Sequence, residues 1–179
     1  MNKYFQKMKG GGTRPSGTNV PEVFWSGVGS FLGIFACGYL SLSYFTLLDL
    51  TLLIGSFGAS AVLVYAAIKS PLAQPRNLIG GHVISGLVGV AAYQLFSTNL
   101  VLASAVAVSF AIMAMLATKT LHPPGGATAL IAVIGGVPIH RLGFLYALIP
   151  AGLGAAVLLV VALLVNNMSE NRKYPEYWF

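Results

Sequence analysis

The sequence predicts an all-α integral membrane protein of about six transmembrane helices, and three observations carry that prediction. Of 179 residues, 56% are hydrophobic and only 8% charged. Mean hydropathy is +0.80, whereas a soluble domain carries about 25% charged residues. The few charges cut the chain into long uncharged stretches: no Asp, Glu, Lys or Arg falls in 23–48, 50–68, 77–118, 120–140 or 142–169. A helix needs roughly 20 apolar residues to cross a bilayer, so these stretches are span-sized. The length fits one domain. The lone Cys37 excludes a disulfide framework or a Cys-based metal site within one chain.

Residues 1–22 read as a cytoplasmic flexible leader. They contain no apolar h-region with a small-residue cleavage site, and GGGTRPSGTN at 10–19 is Gly-rich. A membrane domain over 23–168 follows. The first span is placed at about 26–48, with Phe24 and Trp25 where it meets the interface. The second, about 50–68, ends at Pro71. The third, about 78–96, has Asn77 as a plausible cap, and Ser97-Thr98-Asn99 breaks it from the fourth, about 100–118. The sixth, about 143–166, runs to Asn166-Asn167 and leads into a cytoplasmic tail, 169–179.

The fifth segment is short, about 124–137. His122, Pro123 and Pro124 open it, and Gly135-Gly136 with Pro138 close it. What remains helical is about Gly125 to Val137, and those thirteen residues reach roughly 20 Å against a hydrocarbon core about 30 Å thick. It reads either as a re-entrant half-helix or as part of a broken span. With six spans, Lys3, Lys7, Lys9, Arg14, Lys69, Arg76, Lys119, Arg172 and Lys173 share one side against Arg141 alone. Five spans give eight against two, so the positive-inside rule favours six with both termini cytoplasmic.

Gly58-Ala59-Ser60-Ala61 resembles Gly126-Ala127-Thr128-Ala129 at an offset of 68 residues. The offset admits a 3+3 inverted repeat with broken or half helices at 55–68 and 123–136. Such repeats place substrate near the midplane, where interrupted helices meet. Pro123 and Pro124 suit the first turn of a new helix, and Gly125, Gly126 and Thr128 follow with expected free N–H groups. A helix N-terminus is a ready anion site. Lys119 and His122 lie beside it, with Ser56, Gly58 and Ser60 on the matching segment. The bland alternative is a proline kink packed by glycines, with Lys119 snorkelling. His82 is read as lining a pore or bonding a neighbouring helix, and Arg76 as a topology anchor or a ligand. His140 and Arg141 read as a solvated loop edge.

The acidic residues Glu22, Asp49, Glu170 and Glu176 all fall at span ends or tails. No carboxylate pair lies within the membrane, which argues against a cation pump. There is no Walker, Rossmann or zinc-protease pattern, so no cofactor and no metal are expected. The positive charges read as topology signals, so no nucleic-acid partner is expected either.

Leu121-His122-Pro123-Pro124-Gly125-Gly126-Ala127-Thr128-Ala129-Leu130 resembles the signature of the HPP family of integral membrane proteins. Gly58-Ala59-Ser60-Ala61-Val62-Leu63, then Ser70-Pro71-Leu72-Ala73-Gln74-Pro75-Arg76-Asn77 and Gly80-Gly81-His82, resemble that family's other shared stretch. The resemblance implies a compact multi-helix membrane domain, here the bare transport unit, with His122, Pro123 and Pro124 as its functional motif. Some plastid and cyanobacterial members of the family are nitrite transporters. The expected function is thus a transporter or channel-like facilitator for a small monovalent anion, nitrite by resemblance. The alternatives are an anion-sensing membrane module or a membrane enzyme using His122. The expected setting is a prokaryotic plasma (inner) membrane, and the expected assembly a homo-oligomer.

Overall fold

The computed structural model describes residues 17–45 and 52–179. Most of the leader, four of its lysines and arginines, and the junction between the first two spans lie outside the described residues. Within them the fold is helical throughout, with no strand.

Helix α1, Val20–Leu40, starts where the Asn19 side chain accepts from the Glu22 N–H at 2.9 Å, with Pro21 in the first turn. It continues as a π-helical turn, Ser41–Phe45. Helix α2, Ser56–Ala61, also loosens into a π-helical turn, Val62–Ala66. Helix α3, Pro75–Phe96, begins at a proline after the extended Gln74. Asn99 caps α4, Leu100–Ala117, accepting from the Leu102 N–H at 3.0 Å. Prolines 123 and 124 open α5, Pro123–Ile134. The short α6, Gly136–Leu142, is bent from α5 by 101°. The last helix, α7, Leu153–Asn166, is preceded by a π-helical segment, Ala147–Gly152, broken at Ile149 where Pro150 follows.

One end of the bundle gathers the start of α1, the tail and several helix ends. Glu22 pairs with Arg172 at 3.5 Å, and Arg172 donates to the Tyr65 carbonyl. Burial pulls the Arg172 pKa below its ordinary value, against the upward pull of the Glu22 carboxylate. Asn166 donates to the Val64 carbonyl, Tyr174 to that of Ala73 and Arg76 to that of Thr118, at 2.8, 2.7 and 2.9 Å. The chain therefore leaves this end in α1, returns in α2, leaves in α3, returns in α4, leaves in α5 and returns in α7. Lys69, Arg76, Lys119, Arg172 and Lys173 all belong to this end, as the charge count requires.

Four helices are long and apolar enough to cross a membrane, and five if α5 and α6 form one bent span. The segment Ser56–Ala66, expected within a full second span, is an 11-residue helix of about 16 Å. A sixth full-length span is not among the described residues. The outer surface carries large apolar side chains, including the stacked Phe31, Phe35 and Tyr39 on α1, as a lipid-facing surface requires.

Candidate functional site

The two short helices meet in the interior of the bundle. Thr128 on α5 and Ser56 at the start of α2 place their hydroxyl oxygens 2.9 Å apart. From there a line of polar side chains runs toward the terminus-bearing end. Thr128 Oγ1 lies 2.7 Å from His82 Nδ1, and His82 Nε2 lies 2.7 Å from Ser60 Oγ. Ser60 Oγ is also 2.9 Å from His122 Nε2, and His122 Nδ1 is 2.7 Å from the Leu72 carbonyl oxygen. His82, Ser60, His122 and Thr128 are fully buried and Ser56 nearly so.

Local structure explains this convergence. Ser56 and Ser60 sit four residues apart, so they share one face of α2. The prolines after His122 hold its backbone extended (φ −138°, ψ 105°), which swings its ring under α2 instead of into α5. Glycines let α3 come close: a Cβ on Gly81 would lie 2.5 Å from the His122 Cβ. One on Gly125 would meet Ser85 Oγ at 2.6 Å and the Gly81 carbonyl at 2.9 Å. Phe57 and His122 pack their rings beside His82, at centroid distances of 5.3 and 5.1 Å. Tyr146, just ahead of the broken segment of the last span, donates to the Thr128 carbonyl at 3.0 Å.

Of the residues singled out from sequence, Ser56, Ser60, His82, His122 and Thr128 form this cluster, with Pro124 and Gly125 packed behind it. Pro123 and Gly58 are exposed, and Gly126 is half-buried. Lys119 is exposed in the α4–α5 turn at φ 57°, and the Arg76 guanidinium is engaged by the Thr118 carbonyl. Neither cation reaches the cluster.

The α5 N-terminus also differs from expectation. The prolines carry no N–H, and the Gly125 N–H turns back to the His122 carbonyl at 2.8 Å, so that donor is spent. Asn77 does not cap α3; its side chain donates to the Leu121 carbonyl at 2.8 Å, tying α3 to the His-Pro-Pro turn. His140 is no solvated edge: its ring stacks on Tyr93 with centroids 3.7 Å apart, and its Nε2 donates to the Val133 carbonyl at 2.9 Å.

Sequence reasoning missed Leu72 and Tyr146. A backbone carbonyl leaves no side-chain signal, and Tyr146 lies in a stretch that reads only as apolar span. Among the described residues no group of three or more His, Cys, Asp or Glu side chains has the geometry to hold a metal. The cluster is a set of neutral hydroxyls and imidazoles, able to donate or accept protons at each position.

The family description "HPP, transmembrane region" matches residues 15–175. Two proteins of Dictyostelium discoideum, each named only as a transmembrane protein, are 45% and 43% identical to 99% of this chain. The chain spans 58% and 64% of their lengths. No solved structure matches.

Proposed function

The chain belongs to the HPP transmembrane family, and we propose that it is a transporter for a small monovalent anion, nitrite by resemblance, and not an enzyme. One observation carries the reading: Ser60, on an interrupted helix too short to span, is shared by His82 and His122 of two other segments, all fully buried. Ionisable groups deep in a membrane domain are expensive and mark ion pathways. Discontinuous helices are where transporters place their substrates.

A neutral cluster of donors suits a monovalent anion. It offers hydrogen bonds without a fixed charge that would hold the ion too tightly to release. Lys119 and Arg76, at the terminus-bearing end, raise the local positive potential and draw anions toward it. The cluster's donors satisfy one another in this conformer, so an anion gains them only as α2 and α5 part. The reading includes a homo-oligomer, with both termini in the cytoplasm. Both relatives come from an amoeba, so a eukaryotic membrane fits as well as a prokaryotic plasma membrane.

The test is flux in liposomes reconstituted with the full chain, comparing nitrite, nitrate, formate and chloride against protein-free vesicles. Saturable nitrite flux is expected. Movement of none of the four anions above the protein-free rate overturns the reading.

A further inference from the structure

We propose that Ser56, Thr128, His82, Ser60 and His122 form a proton relay that loads one proton with each transported anion; this rests on the transport reading above. The argument starts from hydrogen-bond direction. A carbonyl oxygen only accepts, so at 2.7 Å from Leu72 O the His122 Nδ1 carries the proton. In a neutral imidazole the other nitrogen then accepts, so the Ser60 hydroxyl donates to His122 Nε2. A hydroxyl has one proton, so Ser60 accepts from His82 Nε2–H. His82 Nδ1 must then accept the Thr128 proton, the same proton that Thr128 can instead donate to Ser56. One acceptor at the end fixes the polarity of the four links from Leu72 to Thr128, and the two histidines take opposite tautomers.

Such a chain takes up a proton by one hop per link. A proton from water bonds to Thr128 Oγ1 as the proton Thr128 held leaves it. The Thr128 proton moves to His82 Nδ1, the His82 Nε2 proton to Ser60, and the Ser60 proton to His122 Nε2. Every bond broken is matched by one formed, and the net change is one proton gained, with His122 now an imidazolium. The loaded chain is equally well bonded in reverse: His122 donates to Ser60, Ser60 to His82, His82 to Thr128, and Thr128 to Ser56 or to the Pro124 carbonyl at 3.3 Å.

Among the described residues, no other charge is at hand to balance an anion in the cluster. Around it, α2 contributes Ser56, Phe57 and Ser60; α3 contributes Asn77, His82 and Ser85; α5 contributes Thr128. The remaining titratable neighbour is Tyr146, held by the Thr128 carbonyl. Arg76 and Lys119 lie outside. A buried anion without a counter-charge is costly, so anion and proton each raise the other's affinity, as linkage requires.

Two measurements test this on the full chain. In proteoliposomes clamped at zero membrane potential, with protein-free rates subtracted and on the alkaline side of neutrality, one proton is expected to enter per nitrite. Nitrite flux without proton movement overturns the relay and leaves the anion transporter standing. Nitrogen-15 NMR of histidine-labelled protein in bilayers, assigned with His82→Gln and His122→Gln, is independent of any flux. His122 is expected protonated at Nδ1 and His82 at Nε2, and a shared tautomer overturns the relay even where nitrite does not move. Ser60→Ala is expected to abolish proton coupling and Ser60→Thr to restore it. A Ser60→Ala protein that still carries one proton per nitrite also overturns it, and if that variant fails to fold the wild-type measurements decide.

Discussion

The Thr128 hydroxyl on α5 lies 2.9 Å from the Ser56 hydroxyl at the start of α2, and through this pair the two interrupted segments of the chain touch. At the sequence offset of 68, Thr128 aligns with Ser60 and Ser56 with Pro124. The contact thus joins Thr128 to a serine one helical turn before the residue it matches in sequence. Four predictions follow from the way this centre is packed and oriented.

Removing the shared hydroxyl destabilises the fold. Ser60→Ala leaves the Nε2 atoms of His82 and His122 buried without their partner. A buried polar group left unsatisfied costs about 1–3 kcal/mol. The expected result is a lower thermal midpoint in detergent, with Ser60→Thr recovering much of it. An unchanged midpoint in Ser60→Ala would show that the hydroxyl contributes nothing to the packing.

Two adjacent glycines respond in opposite ways. Gly125→Ala drives a methyl toward the Gly81 carbonyl at 2.9 Å and Met115 Sδ at 2.9 Å. A backbone atom cannot swing aside, so α3 and α5 must separate, at about 1–3 kcal/mol. At Gly126 the nearest atom to an added Cβ is Val108 Cγ1 at 3.9 Å, so Gly126→Ala is neutral or mildly stabilising through its helix propensity. Comparing the two melting curves tests the close crossing directly.

The start of α1 and the tail meet at one end of the bundle through Glu22 and Arg172, which predicts that both face the same side of the membrane. Cys37 is fully buried, so the protein carries little background for thiol labelling. Cysteines placed at the exposed Gly17 and Glu176 are expected to react with an impermeant maleimide from the same face of sealed vesicles. Labelling from opposite faces would contradict the Glu22–Arg172 pairing.

The tail is locked by that pairing. Arg172 is buried, donates to the Tyr65 carbonyl and meets Glu22 at 3.5 Å. Glu22→Ala removes the counter-charge of a guanidinium whose Nε and Nη1 already lack partners. Trypsin cleavage after Arg172 and Lys173 is expected to speed up several-fold, followed by mass spectrometry of the released peptide. A cleavage rate equal to wild type would mean that the bonds of Tyr174 to Ala73 and Asn167, and of the Glu176 N–H to Gln74, hold the tail without Glu22.

Much of this protein was legible in its sequence. Sparse charge and span-length apolar runs fixed the membrane class, because lipid forces every backbone polar group into a helix. The paired prolines marked the start of a short helix, because a ring without an N–H belongs in a first turn. His82, His122, Ser56, Ser60 and Thr128 could be named because polar side chains in such a background demand partners.

Only the tertiary structure decided which partners they find. The cations beside the His-Pro-Pro turn looked like the centre of an anion site, but Lys119 points to solvent and Arg76 is taken by the Thr118 carbonyl. The helix N-terminus looked open, but Gly125 turns its N–H to His122. Residues 60, 82, 122 and 128 come from three segments far apart in the chain, and no local pattern encodes which nitrogen faces which hydroxyl. That orientation is set by the close approach at Gly81 and Gly125 and by a backbone carbonyl at Leu72, and a carbonyl is the same in every residue type.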